Sequence, residues 1–126
     1  MRFAKFVFIG AGLWGFLVLA PFIWLHDISG RAYPPPTEYP HFFWGFFAIT
    51  TAWQLAFLII ARDPQRFRPI IPAAILEKLV YVVACVVLLA GGRIPPIVAL
   101  GGAGDFILGT LFTISYFRLK NDAAAN

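Results

Sequence analysis

The sequence predicts an all-α protein, a transmembrane antiparallel four-helix bundle, from three observations. Of the 126 residues, 60% are hydrophobic and 13% are charged, against roughly 45–50% and about 25% in ordinary soluble domains. Nearly all the charges fall in short gaps between four apolar runs, each of about twenty residues, the length that crosses roughly 30 Å of hydrocarbon. Finally, backbone polar groups must be paired within lipid, and four runs of this length cannot close a strand barrel, which leaves helices.

The first span is expected at about residues 6–25, after a basic start containing Arg2 and Lys5. A cleaved signal peptide is the rival. The length of the run favours an uncleaved span, and so does Pro21, directly after the only plausible cleavage point at Ala20. The second span is expected at about 42–61, with Gly45, Thr50, Thr51 and Gln54 inside it. The third, about 70–90, opens with Pro69 and Pro72, and the fourth, about 97–117, follows Pro95 and Pro96. Proline suits a first helical turn, where its missing N–H has no partner to lose.

Lysine and arginine orient the set. Arg2, Lys5, Arg62, Arg66, Arg68, Arg118 and Lys120 fall on one side, and only Arg31 and Arg93 on the other. The positive-inside rule then places both termini in the cytoplasm. The second and third connections are tight, so the helices they join are expected to be antiparallel neighbours. The first connection, 26–41, holds Pro34–Pro36 and Pro40 and reads as a stiff polyproline strap over the outer face. Trp24, Tyr33, Tyr39 and Trp44 lie at that level, as an interfacial aromatic belt would. The tail, 118–126, is expected in the cytoplasm, with its end from Asn121 unstructured.

Several function classes are excluded. The net charge of +4 forms no basic stripe interleaved with aromatics, so nucleic acid is not an expected partner. Cys85 is the single cysteine, which rules out an intrachain disulfide, a Cys-x-x-Cys pair and a thiolate zinc cage. His26 and His41, beside Asp27 and Glu38, are the candidates for a metal site, but their spacing fits no ligand pattern and interfacial histidines explain them. Gly10-Ala11-Gly12-Leu13-Trp14-Gly15 is a literal G-x-G-x-x-G. That fingerprint needs a strand, a turn and a helix start, whereas here it sits inside an apolar span, so close helix packing through small residues is the reading. No cofactor is expected.

Trp53-Gln54, the connection Ala61-Arg62-Asp63-Pro64-Gln65-Arg66-Phe67-Arg68-Pro69, and Glu77-Lys78 together resemble a pattern in short four-helix bacterial inner-membrane proteins of uncharacterised function. This resemblance covers roughly residues 40–118. The layout is also similar to that of DoxX-like four-helix membrane proteins. The resemblance implies the fold and a bacterial inner (plasma) membrane location, and it brings no catalytic residues.

The ionisable residues inside the spans carry the most information, because a charge in hydrocarbon costs several kcal/mol unless paired or hydrated. Counting depth along each span at about 1.5 Å per residue, Gln54, Glu77, Lys78, Tyr81, Asp105, Thr50 and Thr51 are expected to form one intramembrane polar seam. Lys78 has two options: an ion pair with Asp105, or snorkelling of its long stem to the inner interface. Snorkelling is the favoured reading. Gly101, Asp105, Gly109 and Thr113 recur every four residues, so they form one helix stripe, expected to pack inside the bundle or, alternatively, at a homodimer seam. Trp14 and Trp53 are expected to fill space opposite glycines, with a wall for an apolar ligand as the alternative.

These features point to a small multi-pass membrane protein with a structural, accessory or apolar-ligand-binding role and no catalysis. Its expected partners are the lipid bilayer and a homo-oligomer or larger membrane complex. A small oligomeric proton- or ion-coupled transporter using Glu77 or Asp105 is one alternative. A lipid- or quinone-modifying enzyme, with Glu77, Asp105 and Lys78 as acid, base and charge stabiliser, is a second.

Overall fold

The computed structural model describes residues 1–21 and 40–125. Most of the expected strap, His26 included, lies outside them. Among the described residues there are four α-helices and no strand: α1 (Arg2–Leu19), α2 (Pro40–Arg62), α3 (Ile71–Ala90) and α4 (Pro96–Ala125), with a 3-10 turn at Arg68–Ile70 leading into α3. Each helix is long and apolar enough to cross a membrane. Prolines open α2, α3 and α4. The end of α3 follows from Gly92, whose φ of +67° reverses the chain. Arg93 N–H then donates to Leu88 C=O at 2.8 Å and Gly92 N–H to Leu89 C=O at 3.1 Å, so a Schellman turn satisfies the last carbonyls.

α1 packs along α2, α4 along α3, and α1 against α4, giving the order α2–α1–α4–α3. α2 and α3 do not pack along each other, which corrects the expectation that their connection makes them neighbours. The connection is short, but it closes over the end of α4: Gln65 Nε2 donates to the Leu119 carbonyl at 2.8 Å and Arg68 reaches the same oxygen at 3.4 Å. Pro64 and Leu119 are fully buried there. The end of α4 thus occupies space that a closely packed α2–α3 pair would fill. Replacing Gln65 with alanine is expected to lower stability by about 1 kcal/mol, measurable as a shift in thermal unfolding in detergent.

The buried core lies at the end of the bundle that carries the termini, here the terminal end. It contains Ala4, Phe8 and Ala11 of α1, Phe57, Ile60 and Ala61 of α2, Ile71 and Ala74 of α3, and Phe112 and Leu119 of α4. Three rings form its centre. Phe8 stacks on Phe112 at 4.5 Å between centroids, and Phe57 lies 5.0 Å from Phe112. Such pairs contribute about 0.5–1.5 kcal/mol beyond their area.

α4 continues as helix to Ala125, where an unstructured end was expected. Lys120 and the alanines Ala123–Ala125 are good helix formers, Leu119 is anchored in the core, and the amino-terminal ammonium lies 3.4 Å from Asp122. Arg118 also covers the Phe3 ring at 4.6 Å.

Candidate functional site

Two small-residue contacts set the helix spacing around the site. On α1, a Cβ at Gly12 would lie 2.7 Å from the Leu58 side chain, and one at Gly15 would overlap the Gln54 carboxamide. The G-x-G-x-x-G match is therefore a packing surface for α2, through its second and third glycines, while Gly10 faces open space. On α4, a Cβ at Gly102 would lie 2.9 Å from that of Cys85, and one at Gly109 would lie 3.3 Å from that of Lys78. Gly101 looks onto the Tyr81 hydroxyl at 3.6 Å. The Gly101–Asp105–Gly109 stripe accordingly faces α3 within the bundle, and Thr113 continues it by bonding back to Gly109 C=O at 2.8 Å.

This close approach places charge at the α3–α4 contact. Lys78 is 5% exposed. Its Nζ lies 3.2 Å from Asp105 Oδ1, 3.5 Å from Glu77 Oε2 and 5.3 Å from the centroid of the Phe57 ring. The lysine does not snorkel, contrary to the sequence reading. The fully buried Phe57 ring packs against the ammonium, while Gly109 leaves room for the lysine stem to lie across α4 toward Asp105. The ring beneath the ammonium adds a cation–π contact.

The expected single seam divides in two. Gln54, 2% exposed, belongs to the α1–α2 contact, where its Nε2 donates to the Thr50 carbonyl at 2.9 Å and its carboxamide fills the notch at Gly15. Thr51, three residues before Gln54, has a buried hydroxyl oxygen with no hydrogen-bond partner among the described residues. Glu77, Lys78 and Asp105 form the other group, with Tyr81 one turn further along α3. No hydrogen bond or ion pair among the described residues joins the two groups. Equal depth along four helices does not decide which helices are adjacent, and the order α2–α1–α4–α3 separates them.

On the outward side of the triad is a shallow groove of about 150 Å³, between α3 and α4. Ile75, Leu79, Val82 and Phe106 form its apolar walls, with Lys78 and Asp105 at its floor and Thr110 and Thr113 along one rim. Sequence reasoning singled out Lys78 and Asp105 but favoured snorkelling over their pairing, and it missed the groove. The signal was present in the side chains one helical face away from Lys78 and Asp105.

Trp53 packs partly buried against the core, 6.1 Å from Phe57. Trp14 is 58% exposed, and its side chain is not among the atoms nearest any described glycine. The His41 ring lies 4.4 Å from that of Phe42, tilted by 35°, and no cluster of metal-ligating side chains occurs among the described residues. No family model matches the chain, and neither does any curated protein or solved structure.

Proposed function

We propose that this chain is a four-span membrane protein that works without catalysis, as a binding or accessory component that takes a lipid-like molecule into the α3–α4 groove. The observation that carries the reading is the composition of the groove, four apolar side chains around a paired ammonium and carboxylate. Mostly apolar walls with a few convergent polar groups are the usual make-up of small-molecule sites. The volume is below the roughly 300–1,000 Å³ of pockets for drug-sized ligands, and suits a short stretch of acyl or isoprenoid chain.

The membrane is a bacterial inner membrane in this proposal, with both termini in the cytoplasm, following the excess of Lys and Arg at the terminal end. In a Cys85→Ala background, a cysteine at Arg93 is expected to react with an impermeant maleimide added outside the cell, and one at Arg66 only after lysis. The opposite pattern would overturn the orientation.

The groove is tested by purification in mild detergent followed by native mass spectrometry. The unmodified protein is expected to retain a lipid-like species, and Thr110→Trp, which fills the groove from its exposed rim, to lose it. Equal retention by the variant, or a protein that carries nothing, would sink the reading. A second reading, proton- or cation-coupled transport, is favoured by one observation: two carboxylates face a single ammonium. It requires a flux in proteoliposomes that Glu77→Gln abolishes.

A further inference from the structure

With the α3–α4 groove read as a site for a lipid-like molecule, we infer that its ligand is a long-chain or isoprenoid alcohol whose O–H donates to Asp105 Oδ2. The polar hydrogens around the groove already have partners. Thr110 Oγ1 donates to the Phe106 carbonyl at 2.9 Å and Thr113 Oγ1 to the Gly109 carbonyl at 2.8 Å. The Lys78 ammonium is enclosed by Asp105 Oδ1 at 3.2 Å, Glu77 Oε2 at 3.5 Å and the centroid of the Phe57 ring at 5.3 Å. The groove residues lie inside α3 and α4, where helix hydrogen bonds take the backbone N–H groups. A hydroxyl that donates to a carbonyl keeps its lone pairs free to accept. The groove therefore offers oxygens, and no free donor among the described residues.

Asp105 supplies the strongest of those acceptors. Its Oδ1 takes the lysine hydrogen bond. Its other oxygen, Oδ2, has no donor among the described residues, and unlike Glu77 Oε2 it is not sealed from the surface. The Asp105 side chain is 22% exposed and forms part of the groove floor. A ligand that donates a hydrogen bond satisfies this oxygen, and one that can only accept sets oxygen against oxygen.

Depth selects the kind of donor. Asp105 is the tenth residue of α4, about 14 Å along the helix and near the middle of a roughly 30 Å hydrocarbon core. A charged headgroup is too costly to bring to that depth, and an ester, ketone or ether has no hydrogen to give. An alcohol is uncharged and donates one hydrogen bond. Its chain is of the kind that Ile75, Leu79, Val82 and Phe106 can cover.

The test uses the full chain in phosphatidylcholine vesicles with diazirine-bearing farnesol and hexadecanol, each compared with its own methyl ether. Irradiation and mass spectrometry read the labelling at Leu79 and Phe106 of the groove, against Leu55, an exposed side chain of α2. At least one alcohol is expected to label the groove about tenfold more than its ether, the low end for a hydrogen bond to a charged acceptor. Which alcohol does so separates an isoprenoid source from a straight-chain one. Asp105→Asn keeps an oxygen on the ammonium and turns an NH2 toward the groove, so the preference is expected to vanish while the ethers still label. Alcohols and ethers that label the unmodified protein alike overturn the hydroxyl assignment and leave the lipid reading of the groove standing. Labelling no higher than at Leu55 with every probe overturns both. A preference that survives Asp105→Asn overturns the role given to Asp105.

Discussion

Lys78→Met is expected to be the most damaging single change among the triad residues, costing about 3–5 kcal/mol, the usual penalty for removing one partner of a buried ion pair. The side chain is 5% exposed, and among the described residues its ammonium is the only cation paired with Glu77 and Asp105. Its loss leaves two carboxylates facing each other with little water. Asp105→Asn is expected to cost less, because the ammonium keeps Glu77 and the shorter bond passes to a neutral acceptor. Glu77→Gln is expected to be mildest, since it removes the surplus charge and leaves the 3.2 Å pair intact. Combining Lys78→Met with Glu77→Gln and Asp105→Asn is expected to recover much of the single-variant loss, because the remaining groups no longer repel. Unfolding by sodium dodecyl sulfate titration from mixed micelles measures all four. An additive triple variant, or a silent Lys78→Met, would show that the triad is not an interacting unit.

Gly12→Leu is expected to cost about 3 kcal/mol, at the upper end of overpacking penalties. A Cβ at this position would already lie 2.7 Å from Leu58 and 3.0 Å from the backbone carbonyl of Gln54. The carbonyl belongs to a helix and cannot swing aside, so α1 and α2 must separate. Separation would also loosen the Gln54 carboxamide that fills the notch at Gly15. Gly10→Leu is the internal control: nothing lies within 4 Å of its Cβ direction, and it is expected to be tolerated within about 1 kcal/mol, the scale of an exposed helix substitution. The same unfolding measurement distinguishes them. Equal effects of the two substitutions would refute the close contact at Gly12.

Four helices and the prolines that open three of them follow from the sequence alone, while the continuation of α4 to Ala125 does not. Apolar runs of membrane-spanning length and prolines at the starts are local signals, and local signals survive in one dimension. So are the four-residue recurrence of Gly101, Asp105 and Gly109, which marks one side of a helix, and the presence of Glu77, Lys78 and Asp105 in apolar surroundings, which marks them as needing partners. What the sequence alone could not determine is which helix lies beside which. That choice depends on how Leu119 and the Gln65–Arg68 connection fill the terminal end, a balance of packing between segments about fifty residues apart. Once α4 lies between α1 and α3, Gln54 and the charged triad are on different contacts, and the polar residues that depth alone would unite are divided. The fate of Lys78 was open for the same reason. A lysine stem can reach an interface or a carboxylate, and only the tertiary structure, with the Phe57 ring against the ammonium and Gly109 admitting the stem beside α4, decides between them.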